Sequence, residues 1–325
     1  MAVHESVLFI GAGYVGQNIL DELLAAKYPV TTFVRRPEQA AIFESSGAQT
    51  VLGSLSDLEL ITAQVAQHEI TINTASADDL PSVEAILAGV RQRVKAGLPS
   101  IYLHTSGAGA VHDDSMGAHN DGKIYRDDTP TDIEAIPSTN LHRNVDIAIV
   151  EAAHEFGDTA KIVIMLPALV YGYNPAHKRH TQIISLLVRF ALKRGFAGYV
   201  GEGRNLWAAV HVKDLARAFM TVLEHTEKAP PGALVENPYF FAEGGTESSM
   251  KEVAEHLAQT LHDIGRIPGA KAQSWSESDY AEVLGPMTAP ILGCNARCQA
   301  IRLRELGWKP TEKDMWTSWK EDSAS

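Results

Sequence analysis

The sequence predicts an α/β fold built on a doubly wound parallel sheet, and three observations carry that prediction. Short apolar runs alternate with amphipathic stretches through the first half of the chain. A Gly-x-Gly-x-x-Gly turn joins the first apolar run to the first helical stretch. No internal repeat or low-complexity linker interrupts the alternation.

Val7–Ile10 is an apolar run that reads as the first strand, and it leads into Gly11-Ala12-Gly13-Tyr14-Val15-Gly16. Gly11 permits the tight turn and Gly13 lets backbone approach a pyrophosphate. Gly16 lets the helix pack on the strand while its first N–H groups face the phosphates. The helix reading stands without the glycines: Val15, Ile19 and Leu23 recur every four residues, Asp21 and Glu22 face away, and Lys27 with Pro29 closes the run. Strand, glycine turn and helix in this order are the dinucleotide fingerprint of a Rossmann sheet.

The rhythm continues with a strand at 30–34, a helix at about 37–45, a strand at 50–52, a helix around 58–67 and a strand at 70–73. A helix at about 80–96, a strand at 100–104, a long loop to about Pro137, a helix through 145–154 and a strand at 161–166 follow. Right-handed crossovers make this one parallel sheet, with ligands above the carboxyl ends of its strands. After Tyr171-Gly172 the regularity changes. A basic stretch (Lys178, Arg179, His180) precedes an apolar helix near 183–193 and a Gly-rich segment, 195–203, expected to turn over the active cleft. Segments 207–215 and 240–242 read as returns to the sheet, and helices around 250–264 and 296–306 suit a smaller, mostly helical lobe. The expected division is a dinucleotide-binding domain over 1–172, with returns at about 207–245, and a substrate lobe over 173–206 and 246–325.

Composition bounds the function. The chain has 325 residues, 45% of them apolar, enough for a large core. A formal charge of −12 argues against nucleic acid as the partner, because that affinity rests on Lys and Arg neutralising phosphates. The most apolar run, 162–170, is too short for a bilayer and contains Pro167, so no membrane association is expected. Cys294 and Cys298 are the two cysteines, four apart in a predicted helical stretch, and they fit packing in a reducing cytoplasm. His112, Asp113, Asp114 and His119, like His177 and His180, have no recognised ligand spacing, so no metal is expected. The expected partner is a small molecule, and the expected state a monomer or homodimer.

The second strand ends in Arg35-Arg36-Pro37. An NAD site places Asp or Glu about 20 residues beyond the glycines, against the ribose hydroxyls. Guanidinium groups there favour a 2′-phosphate, so NADP is expected over NAD, with NAD still open and one arginine expected to be a solvated surface charge. Tyr14 and Val15 at the helix tip, and Ser54, Leu55, Thr74, Ala75 and Ser76 beyond two strand ends, complete the expected cofactor contacts.

Three segments in order resemble the extended short-chain dehydrogenase/reductase family, the class of epimerases, dehydratases and dihydroflavonol-type reductases. Leu166-Pro167-Ala168-Leu169-Val170-Tyr171-Gly172 resembles the segment whose backbone meets the nicotinamide end, which implies contacts from Pro167, Leu169 and Val170. Ala209-Val210-His211-Val212-Lys213-Asp214-Leu215 and Glu305-Leu306-Gly307-Trp308-Lys309-Pro310 resemble two later family segments. His142-Arg143-Asn144-Val145-Asp146 is similar to a segment of a largely uncharacterised fungal epimerase/dehydratase-like group.

The resemblance implies a catalytic Ser or Thr after the fifth strand and a Tyr-x-x-x-Lys on the next helix. Hydride transfer to a carbonyl builds charge on oxygen that an acid must neutralise. Ser106 is the preferred first member and Thr105 the alternative; both also fit a role restricted to loop hydrogen bonds. No Tyr-x-x-x-Lys exists in the chain. The tyrosine position falls near Ser138 and the lysine position near His142, a spacing that shares one helical face. His142 would donate a proton, hold the ribose, or cap and pack the helix. Arg143 would bind an anionic substrate or stabilise an enolate. Tyr171, Tyr173 and Tyr125 are candidates for a relocated acid, and Tyr199, Trp207 and residues 173–190 for substrate contacts. Three readings follow: an NADP-dependent oxidoreductase on a carbonyl or alcohol of a small metabolite, a redox-neutral epimerase or dehydratase, and a non-catalytic NADP(H) sensor.

Overall fold

Val7–Ile10 forms β1 and is buried at every residue, as a strand covered on both faces requires. The computed structural model describes residues 5–179 and 181–322, so His180 of the expected basic stretch lies outside the described residues. The chain continues through α1 (Tyr14–Ala25), β2 (Val30–Val34), α2 (Pro37–Ser45), β3 (Gln49–Leu52), α3 (Leu58–Gln67), β4 (Ile70–Asn73), α4 (Leu80–Lys95) and β5 (Ser100–Thr105). The segment expected to be a long loop carries β6 (Tyr125–Arg126) and α5 (Pro130–Glu134). It is followed by α6 (Arg143–Phe156), β7 (Ala160–Pro167) and β8 (Leu169–Tyr171). The second half holds α7 (Gln182–Arg194), β9 (Gly198–Tyr199), β10 (Leu206–His211), α8 (Val212–Lys228), β11 (Tyr239–Ala242), β12 (Glu247–Ser249) and α9 (Met250–Asp263). Last come β13 (Gln273–Ser274), α10 (Glu277–Val283), α11 (Thr288–Leu292), β14 (Cys298–Gln299), α12 (Ile301–Glu305) and α13 (Met315–Asp322).

Among the described residues the main sheet has seven strands in the order β11-β7-β5-β4-β1-β2-β3. Every pair in it is parallel, from Val7 beside Val30 to Tyr239 beside Ile164. This is the expected doubly wound Rossmann architecture. The order in which strands are added reverses between β1 and β4, which opens a crevice at their carboxyl ends.

Three sequence expectations give way. The segment 207–215 does not return to the main sheet: β10 pairs with β8 in parallel and β12 antiparallel, and it stops at His211. There the His211 ring accepts the Lys213 N–H at 3.2 Å and opens α8, whose buried Leu215, Phe219 and Val222 follow a helical period. The helix expected over 296–306 shrinks to α12. Asp127 Oδ1 accepts from the Ile301 and Arg302 N–H groups at 2.8 and 3.0 Å, so the helix begins there, while Cys298 pairs with Tyr125 in a strand. The Gly-rich segment does not hang over the cleft. Gly203 O accepts from Lys251 N at 3.0 Å and Gly117 O from Arg204 N at 2.9 Å, which packs the turn against α9 and the loop after β5.

Two apolar cores result. One surrounds the main sheet and includes Cys298, Leu303 and Trp308, from a stretch expected in the smaller lobe. The other joins β8, α7, α9 and the C-terminal helices, with Leu187, Leu257, Trp275 and Met315. Among the described residues no helix is long and apolar enough to cross a membrane.

Candidate cofactor and catalytic site

A cleft of about 1080 Å3 runs from the glycine turn, past the carboxyl ends of the main strands, to the smaller lobe. At its near end Gly11 holds φ +104, and a side chain there would start 2.3 Å from Ala75 N. A Cβ on Gly16 would stand 2.0 Å from Gly11 O, so this glycine serves the contact between helix and turn rather than the cleft. Around Gly13 the space is open to 4 Å. No side chain caps α1 and no acid occupies its first turn, so its positive end faces the cleft without competition. Thr74 Oγ1 donates to Gly11 O at 2.5 Å and holds the turn against β4. This arrangement fits a dinucleotide: a roomy glycine, an uncapped helix tip and an open crevice.

Gly11, Gly13, Tyr14, Val15, Ser54, Leu55, Thr74 and Ala75 all line the cleft, as do Pro167, Leu169 and Val170. Ser76 does not; its hydroxyl accepts the Asp78 N–H at 3.2 Å and shapes the turn that carries Asp78. Arg35 and Arg36 line the end beyond β2. Arg179 joins them from the smaller lobe, a residue that local pattern could not assign to this place. Arg36 Nε donates to Gln39 at 3.4 Å, and with the Gln39 amide turned its oxygen accepts from Arg36 and Arg179 at 3.3 and 3.2 Å. Three guanidinium groups thus line the cleft on the adenosine side.

The expected catalytic residues separate. Ser138 lies in an exposed turn and α6 starts only at Arg143, so Ser138 and His142 share no helical face. His142 itself precedes the helix at φ 67, a left-handed conformation. Its ring lines the cleft, with Nδ1 2.7 Å from Asp78 Oδ1 and Nε2 beside Gly107 and Gly109. That hydrogen bond from His142 holds the Asp78 carboxyl below its ordinary value. Asp78 escaped the sequence reading because no local pattern links it to a residue 64 positions away.

Ser106 is buried and donates to Asp146 Oδ2 at 3.0 Å, and the buried Thr105 Oγ1 has no partner among the described residues. Neither lines the cleft. Arg143 corrects the expectation of an anion-binding group. It is 1% exposed, 3.6 Å from Asp146 Oδ2 and 3.4 Å from the Tyr239 hydroxyl, out of reach of a ligand. Burial pushes the Asp146 carboxyl up to about 6, against its bonds to Ser106 and the Arg143 charge. Deeper still, His104 is wholly buried and its imidazole is driven down to about 3, so it is neutral; Nδ1 lies 3.0 Å from the Tyr102 hydroxyl.

The four tyrosines expected as acid or substrate contacts do not line the cleft. Tyr171 is buried and donates to Lys313 O at 2.9 Å, and burial raises its phenol. Tyr125 sits in β6 under Lys123, Tyr199 lies in β9, and neither they nor Tyr173 line the cavity. Trp207 does line it. Cys294 and Cys298 are buried, and burial pushes the Cys294 thiol up to about 12. Of the polar loops, His112 contacts Gly109 O and Asp113 is bound to Asn295. No three His, Cys, Asp or Glu residues gather as metal ligands among the described residues.

Two family models match the chain. The NAD(P)H-binding model covers residues 11–126, and the NAD dependent epimerase/dehydratase family model covers 129–236. The protein named oxidase ucsJ, from Acremonium sp, is 29% identical over 320 residues, covering 92% of this chain and 90% of that one. An uncharacterized protein of Schizosaccharomyces pombe is 27% identical, covering 96% and 97%. Among solved structures, UDP-glucose 4-epimerase of Thermotoga maritima superposes with a TM-score of 0.67 at 16% identity, covering 98% of this chain and 97% of its own. DesIV, a dTDP-glucose 4,6-dehydratase of Streptomyces venezuelae, gives 0.68 at 17%, covering 98% and 96%. Both show the fold.

Proposed function

We propose, for a chain that is an NAD(P)-binding protein of the extended short-chain dehydrogenase/reductase type, an NADP-dependent oxidoreductase that interconverts a carbonyl and an alcohol, with His142 in place of the absent tyrosine acid. The observation that carries this reading is the His142–Asp78 pair inside the cleft that begins at the glycine turn. Bound NADPH would supply a hydride from its nicotinamide. Arg35, Arg36 and Arg179 would hold the 2′-phosphate, and the α1 tip the pyrophosphate. Asp78 fixes the imidazole through Nδ1, leaving Nε2 beside Gly107 and Gly109. From there it would deliver a proton to the carbonyl oxygen as charge develops. The His142 side chain is 19% exposed, enough to recover that proton from water. Ser106 and Arg143 support the site from below by anchoring Asp146 and the start of α6.

Relatives named oxidase and ketoreductase support redox chemistry over the redox-neutral reading. Buried, unpaired cysteines fit the cytoplasm. The test is reduction with NADPH deuterated at nicotinamide C4. Deuterium on the alcohol carbon is expected; cofactor that is cycled without net consumption would establish the redox-neutral alternative, and tight binding without any turnover the sensor.

A further inference from the structure

The cleft is larger than the roughly 300–1,000 Å3 of a single small-molecule site, and its far end belongs to the smaller lobe. That wall is made by Ile183 from α7, Trp207 from β10, Leu284 after α10, Ile291 from α11 and Ala296, with Leu141 facing from the main domain. Among the described residues the titratable groups lining the cleft are Arg35, Arg36, Arg179, Asp78 and His142. Three of these line the adenosine side and the other two are bound to each other, so among the described residues the far wall carries no charged side chain. Of the basic side chains on α7, Lys193 pairs with Glu282 and Arg194 with Asp279 and Glu282, and neither they nor Arg189 line the cleft. The Trp207 indole N–H is spent on Cys294 O at 2.7 Å, so the ring offers the cleft carbon rather than a donor. A diphosphate buried against the Trp207, Leu284 and Ile291 side would lose its hydration with no side-chain cation in return, and the α7 tip, where Thr181 and Gln182 line the cleft, would be its one polar support.

We infer that the substrate is an uncharged, largely apolar ring compound bearing a carbonyl, and not a nucleotide-linked sugar. This rests on the oxidoreductase reading above. The reaction balances as hydride from NADPH to the carbonyl carbon and a proton from His142 to the oxygen, giving the alcohol and NADP+. A flat ring stacks on Trp207 and fills the space between Ile183, Leu284 and Ile291, while its carbonyl reaches toward His142.

Calorimetry on protein first saturated with NADP+, which cannot reduce the probe, tests the inference, with menadione as an uncharged bicyclic probe and UDP-glucose and UDP as its opposites. Menadione is expected to bind in the micromolar range and the two uridine nucleotides to give no heat. Ile291→Asp and Leu284→Asp place a carboxylate on partly exposed wall positions; each is expected to weaken menadione by roughly tenfold or more, with NADPH affinity and melting temperature retained. Heat from UDP-glucose, absence of menadione heat on the loaded protein, or unchanged menadione affinity in both variants would overturn the inference. Failure to load NADP+ is a separate result that removes the cofactor reading first.

Discussion

His142 holds its backbone at φ 67, where a residue with a Cβ gives up about 1–2 kcal/mol. The distortion turns the chain just before α6 and brings the ring to Asp78 rather than along the helix. His142→Gln is expected to lower kcat by roughly 10²–10⁴-fold while the NADPH dissociation constant stays within a few-fold. Steady-state kinetics beside a cofactor titration checks this. Asp146 offers a second expectation at this scale. Its carboxyl titrates at about 6 in the fold against 3.8 in an open chain, so its proton is bound more tightly when folded. That contribution is whole below the open-chain value and fades as pH rises through about 6, by at most about 3 kcal/mol. Relative to wild type, Asp146→Asn is therefore expected to gain stability as pH is raised from about 4 to about 7, read as urea midpoints at each pH. The motif containing both residues was visible in sequence, but its division into a cleft side (His142) and a buried side (Arg143, Asp146) was not. One backbone angle decides it.

At the level of elements, α1 shows how two glycines of one motif differ. Gly13→Val fills open space, so it is expected to abolish NADPH binding with little change in melting temperature. Gly16→Val drives a side chain into Gly11 O and is expected to cost stability itself, by about 1–3 kcal/mol. Thermal melts with calorimetry separate the two. Arg179→Ala is expected to weaken NADPH far more than NADH; equal losses would place Arg179 away from the 2′-phosphate. Apart from β6 and α5, the strands and helices up to β7 follow from local periodicity, because each βα unit buries its own apolar face on the sheet. Past Gly172 the signals fail for a physical reason. β10 is placed by β8 and β12, and α12 by Asp127, contacts between residues far apart in sequence that no local pattern encodes. Arg179 and Asp78 reach the cleft in the same non-local way.

Across the whole molecule, the two later family-like segments meet. Trp308 Nε1 donates to Asp214 O at 3.1 Å, and the Asp214 carboxylate accepts from the Thr311 and Glu312 N–H groups at 2.8 and 3.1 Å. They clasp the C-terminal stretch to α8 and so fix the smaller lobe against the sheet. Asp214→Ala removes the carboxylate that the Thr311 and Glu312 N–H groups meet, keeps the Trp308 bond to the backbone, and is expected to cost about 1–2 kcal/mol, measured by urea unfolding. The cysteines give this architecture a built-in clock. Cys294 supports Trp207 at the wall of the cleft and Cys298 belongs to the main core, both sealed from solvent. An alkylating reagent therefore has nothing to label until one region or the other opens, and the order in which the two sulfurs gain mass would time the parting of lobe and sheet.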